Sequence, residues 1–192
     1  MQEHKKLIDA MTDKNANIIT ERLVLRRFTL ADAPEVQRLA GDKLVAATTL
    51  NIPHPYENGM AEEWISTHLK EIEDGKLSNF AITLKNTGQL IGAVGLHINK
   101  RFNRAELGYW VGVPYWNKGY CTEAARAMIK HGLEDLKLHR IFATHFVGND
   151  ASGRVMQKTG MKYEGLLRQH VCKDGQYYDL IMYSILNSDA PL

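Results

Sequence analysis

The sequence has few residues of the kinds that build disulfide frameworks, metal sites or membrane spans. Its 192 residues include two cysteines, Cys121 and Cys172, whose separation does not fit a zinc site and whose small number suits a reducing compartment. Eight histidines occur without the HExxH pattern, so no metal is expected. Apolar runs are too short to span a bilayer, and the N-terminal residues lack the apolar core of a signal peptide. We therefore expect a cytoplasmic protein that does not bind a membrane.

An excess of charge of one sign is also missing. Lys and Arg total 24 and Asp and Glu total 22, which leaves a formal net charge of +2, and the basic residues are dispersed among acidic ones. Direct binding of nucleic acid is therefore not expected. The length suits one domain, which we place at residues 18–188 behind a polar tail at residues 1–17. The sequence leaves the oligomeric state open, with a homodimer as one option.

The most informative stretch, residues 105–125, begins with a predicted strand at residues 105–113. Along this strand two sets of residues alternate, so its two faces are predicted to differ. One face carries Leu107, Tyr109, Val111 and Val113, and the other carries Glu106, Gly108, Trp110 and Gly112. Glycine inside a strand marks a bulge or a place where something approaches the backbone closely. We therefore expect a slim ligand to lie along this strand.

A turn and a helix follow the strand. Pro114 ends the strand, and a helix is expected from about Thr122. The first N–H groups of a helix lack partners within it and carry partial positive charge, so phosphates bind there. Gly119 permits a tight turn and Lys118 adds a full charge, although the segment matches neither GxxxxGK[ST] nor GxGxxG. Two interpretations stay open: a phosphate site, and an ordinary connection in which Thr122 caps the helix.

Periodicity predicts a chain of mixed strands and helices around this stretch. Further strands are expected at residues 22–28, 79–85, 89–98, 140–147, 161–171 and 177–186, and further helices at residues 30–40, 60–74 and 149–160. Residues 42–59, which contain two prolines, are expected to form an irregular loop. Asp174-Gly175 predicts a tight hairpin turn between the last two strands.

These residues resemble the acetyl-CoA signature of the GNAT superfamily of N-acetyltransferases. The family pattern, Gln/Arg-x-x-Gly-x-Gly/Ala, reads Trp116-Asn117-Lys118-Gly119-Tyr120-Cys121 here, so the central Gly119 matches and the two outer positions differ. Other motifs, over residues 19–186, resemble the RimJ/RimL branch, which acetylates the N-termini of ribosomal proteins. They are Glu106-Leu-Gly-Tyr-Trp, Tyr115-Trp-Asn-Lys-Gly-Tyr, Thr122-Glu-Ala, Asn149-Asp-Ala-Ser152, Lys158-Thr-Gly-Met161, Glu164-Gly165 and Asp179.

The resemblance implies an α/β (α+β) GNAT fold. Its mixed central sheet would have about seven strands, antiparallel in the N-terminal half, with parallel strands four and five splayed apart and about four flanking helices. Acetyl-CoA would be the co-substrate, with its pantetheine paired to the edge of residues 109–113 like an added strand and its pyrophosphate at residues 116–122. The expected cofactor-binding residues are Tyr109, Trp110, Val111, Gly112, Val113, Trp116, Asn117, Lys118, Gly119, Tyr120, Cys121, Thr122, Asn149 and Ser152.

Direct attack of an amine on a thioester requires a base, an oxyanion donor and a proton for the departing thiolate. Glu106 is the expected base, directly or through water; the alternative is a solvent-facing glutamate or one paired with Arg101 or Arg104. Ser152 is the expected donor to the thiolate, and the alternative is a helix cap. Cys121 is expected to fill a small buried space rather than to act as a nucleophile.

Two positions depart from the residues that relatives use in catalysis. Met156 stands where many GNAT enzymes have a tyrosine that protonates the thiolate, and Val171 stands where RimL-like enzymes have a glutamate. These departures motivate an alternative, a catalytically idle module that binds acyl-CoA. Trp64, Glu106 and Trp110 are expected to bind the acceptor, with core packing as the alternative for the two tryptophans.

The predicted acceptor is a primary amine, in first place the N-terminal α-amine of a protein or peptide, with a ribosomal-protein N-terminus among the options. At pH 7 an α-amine with a pKa of about 7.7 to 8.0 costs about 1 to 1.4 kcal/mol to deprotonate, whereas a lysine amine near 10.4 costs about 4.6. Sparse base machinery therefore favours an α-amine. A polyamine, an aminoglycoside or an amino-acid derivative is the alternative, which Glu57, Glu62 and Glu63 near the pocket keep open.

Overall fold

The computed structural model describes residues 17–189, so the predicted polar tail lies almost wholly outside the described residues. An open mixed sheet separates two helical layers, which is the architecture expected from the sequence. None of the helices in the described range is both long enough and apolar enough to cross a membrane.

The sheet contains eight strands in the spatial order β1-β2-β3-β4-β5-β6-β8-β7. Every neighbouring pair is antiparallel except β5 and β6, which run parallel. The expected number was about seven, and the additional strand is β1, a two-residue segment paired with β2. The strands are β1 (Ile18–Ile19), β2 (Leu23–Arg26), β3 (Leu77–Leu84), β4 (Leu90–Asn99), β5 (Arg104–Val111), β6 (Arg140–Phe146), β7 (Lys162–Lys173) and β8 (Gln176–Leu186).

Five α-helices occur in the described range, one more than expected. They are α1 (Ala33–Ala40), α2 (Lys43–Thr48), α3 (Met60–Glu73), α4 (Tyr120–Lys130) and α5 (Asp150–Lys158). Short 3-10 turns lie at Leu30–Asp32, Lys100–Phe102 and Val113–Tyr115, and a π-helical turn at His131–Asp135 extends α4.

The additional helix is α2, so the prediction of an irregular loop was wrong for residues 43–48. The side chain of Asp42 caps α2 by accepting a hydrogen bond from the Leu44 N–H at 2.8 Å, and Val45 and Ala46 are buried. The end of α2 is also held from a distance, because the Lys173 ammonium on β7 donates to the Ala46 carbonyl at 2.6 Å. A cap, two buried side chains and a long-range partner stabilise a helix too short to be recognised from periodicity.

The two helical layers cover opposite faces of the sheet. On one face, Leu107 and Val111 of β5 join Met128 and Ile129 of α4 in the larger core cluster. The other face carries a second cluster, built mainly from α1 and α3, against which Trp110 packs. The predicted alternation of faces along β5 is therefore confirmed, because neighbouring residues of the strand enter different clusters.

The sheet opens between β5 and β6. Residues 104–106 of β5 pair with residues 140–142 of β6, and in the described chain the parallel pairing does not continue beyond them. Both strands continue past this point, β5 against β4 and β6 against β8. A gap between two central strands follows, as expected from the resemblance.

An ion pair fastens the last hairpin to β6. The Arg140 guanidinium on β6 forms a bidentate salt bridge with Glu164 on β7, and the Ser184 hydroxyl on β8 donates to the same carboxylate at 2.6 Å. The hydrogen bond with Arg140, opposed by partial burial and aided by Ser184, lowers the pKa of Glu164 to about 2. The motif that contains Glu164 thus has a structural role in this chain.

We expect this pair to make stability depend on pH in the acid range. Because the pKa of Glu164 is lower in the folded chain than its ordinary value near 4.3, its contribution is complete above about pH 5 and is lost as the pH falls toward 2. The carboxylate is partly exposed, so Glu164→Gln should lower the free energy of unfolding by roughly 1 kcal/mol at pH 7. Urea denaturation at several pH values should show this deficit shrinking below pH 4.

The matched control is Glu134→Gln, which removes a carboxylate 3.9 Å from Lys130 in a pair that is largely exposed on both sides. It should change stability little at any pH. A Glu164→Gln deficit that is the same at pH 7 and pH 3 would contradict the expectation.

Candidate active site

A cavity of about 700 Å³ lies where β5 and β6 part. Its lining includes Glu106 and Gly108 from one face of β5 and Tyr109 from the other, so the cavity passes through the gap in the sheet. A smaller groove of about 310 Å³ adjoins it and shares Glu71, His97 and Glu106. The sheet opening thus gives a ligand access to both faces of one strand.

Glu106 lies exposed on β5, at the last pair before the gap. Its carboxylate accepts a long hydrogen bond of 3.4 Å from the Thr144 hydroxyl, and His97 lies opposite it on β4. Within residues 17–189 no salt bridge reaches Glu106, so the pairing with Arg101 or Arg104 that the sequence left open is not found. Its carboxylate can therefore take up a proton at the cavity without first breaking an ion pair.

Ser152 lies on the first turn of α5 and faces Tyr109. The two hydroxyl oxygens are 3.0 Å apart, and the Tyr109 hydroxyl is also 3.1 Å from the Ser152 carbonyl oxygen. The cap of α5 is Asn149, whose side-chain oxygen accepts from the Ser152 N–H at 3.3 Å, so the alternative of Ser152 as the cap was wrong. Asn149 also donates to the Thr48 carbonyl at 3.3 Å, which ties α5 to the end of α2.

Helix α4 begins two residues earlier than predicted, directly after the glycine turn. The helix starts at Tyr120 rather than Thr122, and Gly119 occupies the cap position with a φ of 80°. A left-handed conformation of this kind favours glycine, so the cap needs no threonine side chain. Asn117 also has a positive φ, of 60°, and Val113 lies in the preceding 3-10 turn. The first N–H groups of α4 therefore follow a sharply turned backbone, as in an anion site.

Arg22 and Glu123 hold this turn, and neither was predicted from the sequence. Arg22 pairs with Glu123 through an N–O distance of 2.7 Å and donates to the Lys118 carbonyl at 2.9 Å. Burial opposes ionisation of Glu123, but hydrogen bonds from Thr20 and Arg22 prevail and lower its pKa. The Lys118 ammonium lies 5.8 Å from the centre of the Tyr115 ring. Arg22, just before β2, thus holds the turn in place by binding both the Lys118 carbonyl and the Glu123 carboxylate in the first turn of α4.

The two glycines of the predicted strand, Gly108 within β5 and Gly112 just after it, differ in their surroundings. A Cβ atom on Gly108 would meet nothing within 4 Å, whereas one on Gly112 would lie 2.5 Å from Leu39. A side chain at Gly112 would therefore displace Leu39 of α1, and Gly108 leaves open space in the cavity. The strand ends at Val111, two residues earlier than predicted, and the Val111 carbonyl accepts a hydrogen bond of 2.7 Å from the Trp116 indole.

Aromatic residues of α3 and β5 form a wall of the cavity. Trp64 packs edge-on against Phe28 at 5.0 Å and against His68 at 4.2 Å, and Trp110 belongs to the same cluster. Both tryptophans also line the cavity, so each one packs against the core with part of its side chain and lines the pocket with another part. His68 bonds to Asn79 at 2.8 Å, and burial lowers the pKa of His68 to about 4. This imidazole is neutral at pH 7.

Cys121 packs against the larger core cluster, as expected for a residue that fills a small space. Burial raises the pKa of Cys121 to about 12, so its thiol keeps its proton, and Met156 is buried in the larger core cluster. In the part of the chain that the structure describes, no group of three or more His, Cys, Asp and Glu side chains is arranged to hold a metal ion.

Helical spacing from Trp64, which was predicted to line the pocket, also points to His68 and Glu71, which were not predicted. Trp64, His68 and Glu71 are four and three residues apart, which places them on one face of α3, and all three line the cavity. The contact between Arg22 and Glu123 had no comparable signal, because it joins residues about a hundred positions apart.

Comparison with known proteins agrees with this geometry. Residues 22–162 match a family described as Acetyltransferase (GNAT) domain. YoaA of Bacillus subtilis, named an uncharacterized N-acetyltransferase, is 31% identical over 87% of this chain and 94% of its own length. The [Ribosomal protein uS5]-alanine N-acetyltransferase of Escherichia coli is 25% identical over 61% of each chain.

Among solved structures, a GNAT-family acetyltransferase from Bacillus anthracis superposes with a TM-score of 0.81 and 29% identity, covering 91% of this chain and 100% of that one. The expected sheet with splayed parallel strands is therefore confirmed by both sequence and structure. The chain belongs to the GNAT family of acetyltransferases, enzymes that take an acetyl group from acetyl-CoA.

Proposed function

We propose that this chain transfers the acetyl group of acetyl-CoA to the N-terminal α-amine of a peptide or protein by direct attack in a ternary complex. Glu106 accepts the proton of the amine, directly or through water, and Ser152 donates a hydrogen bond to the departing thiolate. The observation that carries the proposal is a single cavity lined by Glu106, Gly108 and Ser152 at the gap between β5 and β6.

The same gap offers a place for acetyl-CoA. The edge of β5 beyond Glu106 lacks a strand partner on the β6 side in the described chain, so the amide groups of pantetheine can pair there like an added strand. The turn at Gly119 and the first N–H groups of α4 would take the pyrophosphate. Lys118, exposed beside this turn, adds a positive charge.

The choice of an α-amine follows from the base. Glu106 is the one carboxylate that the proposal assigns as base, and it has one long hydrogen bond, from the Thr144 hydroxyl. An α-amine costs only about 1 kcal/mol to deprotonate at pH 7, so a single carboxylate with well-placed water suffices. The relative named [Ribosomal protein uS5]-alanine N-acetyltransferase supports a peptide acceptor, with a ribosomal-protein N-terminus among the options. The homodimer and the cytoplasmic location stay predictions.

Two measurements test the proposal in order. Thermal unfolding with acetyl-CoA, CoA, ATP and NAD should show selective stabilisation by the first two, of about 2.7 kcal/mol at 100 times the dissociation constant. Mass spectrometry of a peptide library, with each peptide free or blocked at its α-amine and with or without lysine, then locates the acetyl group. Acetylation of lysine in blocked peptides at the rate seen with free α-amines would overturn the α-amine assignment.

A second candidate acceptor, a small polycation such as a polyamine, is favoured by the charge of the cavity. Glu63, Glu71 and Glu106 line it, and its lining in the described chain includes neither lysine nor arginine. His68 adds no positive charge, because it is neutral at pH 7. The carboxylates attract any acceptor that carries a second positive charge, whether it is a polyamine or a peptide with a basic residue near its N-terminus.

Replacing both wall carboxylates, as Glu63→Gln with Glu71→Gln, should raise KM about threefold to tenfold for a basic acceptor and leave a neutral acceptor unaffected. The side chains are exposed, so the difference should fade as salt is added. Steady-state kinetics with Ser-Lys and Ser-Gln peptides and with spermidine measure the KM of each acceptor at low and high salt.

The matched control is Glu62→Gln with Glu73→Gln, because these exposed carboxylates lie on the same helix but outside the cavity lining. Equal effects of both double variants on the basic acceptor would mean that general charge, rather than the cavity wall, sets the preference. A preference for spermidine over every peptide would favour the second candidate.

A further inference from the structure

We propose that Tyr109 is a positioning residue for the reaction, which turns the Ser152 hydroxyl toward the sulfur of the thioester and strengthens it as a hydrogen-bond donor. This inference rests on the proposed function, in which Ser152 contacts the departing thiolate. It assigns Tyr109 a role through its side chain, in addition to the backbone edge that it offers.

The Tyr109 phenol lies near Met156, the position at which this chain lacks the tyrosine hydroxyl of many family members. Tyr109 reaches from β5 to α5, and its hydroxyl oxygen is 3.0 Å from the Ser152 hydroxyl oxygen. Ser152 and Met156 lie four residues apart, and therefore on one face of α5. Both line the cavity, and Met156 has no acidic hydrogen. Tyr109 thus brings a phenol within one helical turn of the position where many family members have a tyrosine.

The hydrogen bonds of this pair have two arrangements, because the phenol has a single proton. In one, Tyr109 donates to the Ser152 carbonyl at 3.1 Å, and the Ser152 hydroxyl donates to Tyr109. In the other, Tyr109 donates to the Ser152 hydroxyl oxygen, which leaves the serine proton free to point into the cavity. A sulfur atom that gains negative charge beside Ser152 favours the second arrangement, because charged acceptors make stronger hydrogen bonds.

Bonds and charges balance without moving a proton from the tyrosine. As the acetyl–nitrogen bond is completed, the carbon–sulfur bond breaks and its electron pair goes to sulfur. The sulfur accepts a hydrogen bond from Ser152, whose oxygen accepts one from Tyr109. The proton of the amine leaves to Glu106 or water, and the thiolate takes its own proton from solvent.

The acidities agree with a chain of hydrogen bonds rather than of proton transfers. Burial raises the pKa of Tyr109 well above its ordinary value, so the phenol stays protonated as a donor. A thiol has a pKa of about 8.5, so a thiolate is too weak a base to take the proton of this phenol. The proton therefore stays on Tyr109 while the charge on sulfur is stabilised through Ser152.

The test compares Tyr109→Phe, Ser152→Ala and the double variant, each in the full chain. Tyr109→Phe keeps the ring and removes the hydroxyl. We expect kcat to fall about tenfold in each single variant, KM for acetyl-CoA to stay within about twofold, and the double variant to be no slower than Ser152→Ala alone. The absence of a further loss is the sign that both hydroxyls act as one unit.

The control is Tyr183→Phe, which removes the hydroxyl of a buried tyrosine in the larger core cluster, a hydroxyl that accepts a hydrogen bond of 3.0 Å from Gln157. It should leave kcat unchanged. If Tyr109→Phe matches this control in an active enzyme, or if its loss multiplies with that of Ser152→Ala, the inference is wrong and the proposed function stands. If the wild-type chain acetylates no amine, the proposed function fails and the inference fails with it.

Discussion

Replacing Glu106 with glutamine is expected to lower turnover at pH 7 tenfold or more, while the affinity for acetyl-CoA stays within about twofold. Glutamine keeps the size of the side chain and can still accept the hydrogen bond from Thr144, but it cannot accept a proton. Raising the pH removes the need for a base, because an α-amine with a pKa of about 7.7 to 8.0 is already about nine-tenths neutral at pH 9. The deficit of Glu106→Gln should therefore shrink from pH 7 to pH 9.

Steady-state kinetics with one peptide, measured over this pH range, test the assignment. Glu73→Gln is the control, because Glu73 is an exposed carboxylate on α3 outside the cavity lining. Turnover equal to that of the wild type would remove Glu106 from the mechanism. A loss found entirely in KM for acetyl-CoA would instead make Glu106 a binding residue.

The second large effect is expected from Gly92→Ala on β4. A Cβ atom there would lie 2.1 Å from the Trp110 carbonyl oxygen and 2.8 Å from the Val111 Cα. These are backbone atoms of the paired strand β5, so the two strands must separate to admit the methyl group. We expect the free energy of unfolding to fall by about 3 kcal/mol. That corresponds to a midpoint about 6 to 12 °C lower.

The matched substitution is Gly108→Ala on β5, where the added Cβ atom meets nothing within 4 Å. Stability should stay within about 1 kcal/mol of the wild type, with a small gain from the stiffer unfolded chain. Acetyl-CoA should bind about tenfold more weakly, because the methyl group occupies space that a ligand along β5 needs. Unfolding followed against acetyl-CoA concentration measures both quantities.

The two glycine variants separate packing from ligand approach. Gly108→Ala with full affinity for acetyl-CoA would show that no ligand comes close to this part of β5. Gly108→Ala with a midpoint as low as that of Gly92→Ala would show that the space beside Gly108 is needed for folding instead.

Local patterns predicted most of the fold. The alternation along β5 reached both core clusters as expected, because a period of two fixes which face each side chain joins. The hairpin of β7 and β8 turns at Asp174-Gly175 as predicted, because both residues there adopt positive φ. The error at α2 arose because six residues are too few for periodicity, and its stabilising contact with Lys173 comes from the far end of the chain.

The arrangement of the site could be predicted only in part. The sequence placed Glu106 and Ser152 among the site residues, and the structure places both at one cavity. The partner of the Tyr109 hydroxyl lies 43 positions later, and no local pattern reports a contact across that distance. Gly112 shows a different difficulty, since a glycine that packs against Leu39 looks the same in sequence as one that leaves room for a ligand.

The interrupted pairing of β5 with β6 also affects how the backbone exchanges hydrogen with solvent. Amide groups that point into the gap beyond residue 106 have no strand partner on that side in the described chain, so they can exchange by small local fluctuations rather than by unfolding of the sheet. A ligand that pairs with this edge slows their exchange for as long as it stays. The deuterium uptake of β5 would then report how much of the protein has acetyl-CoA bound at this edge, even in a variant that can no longer transfer the acetyl group.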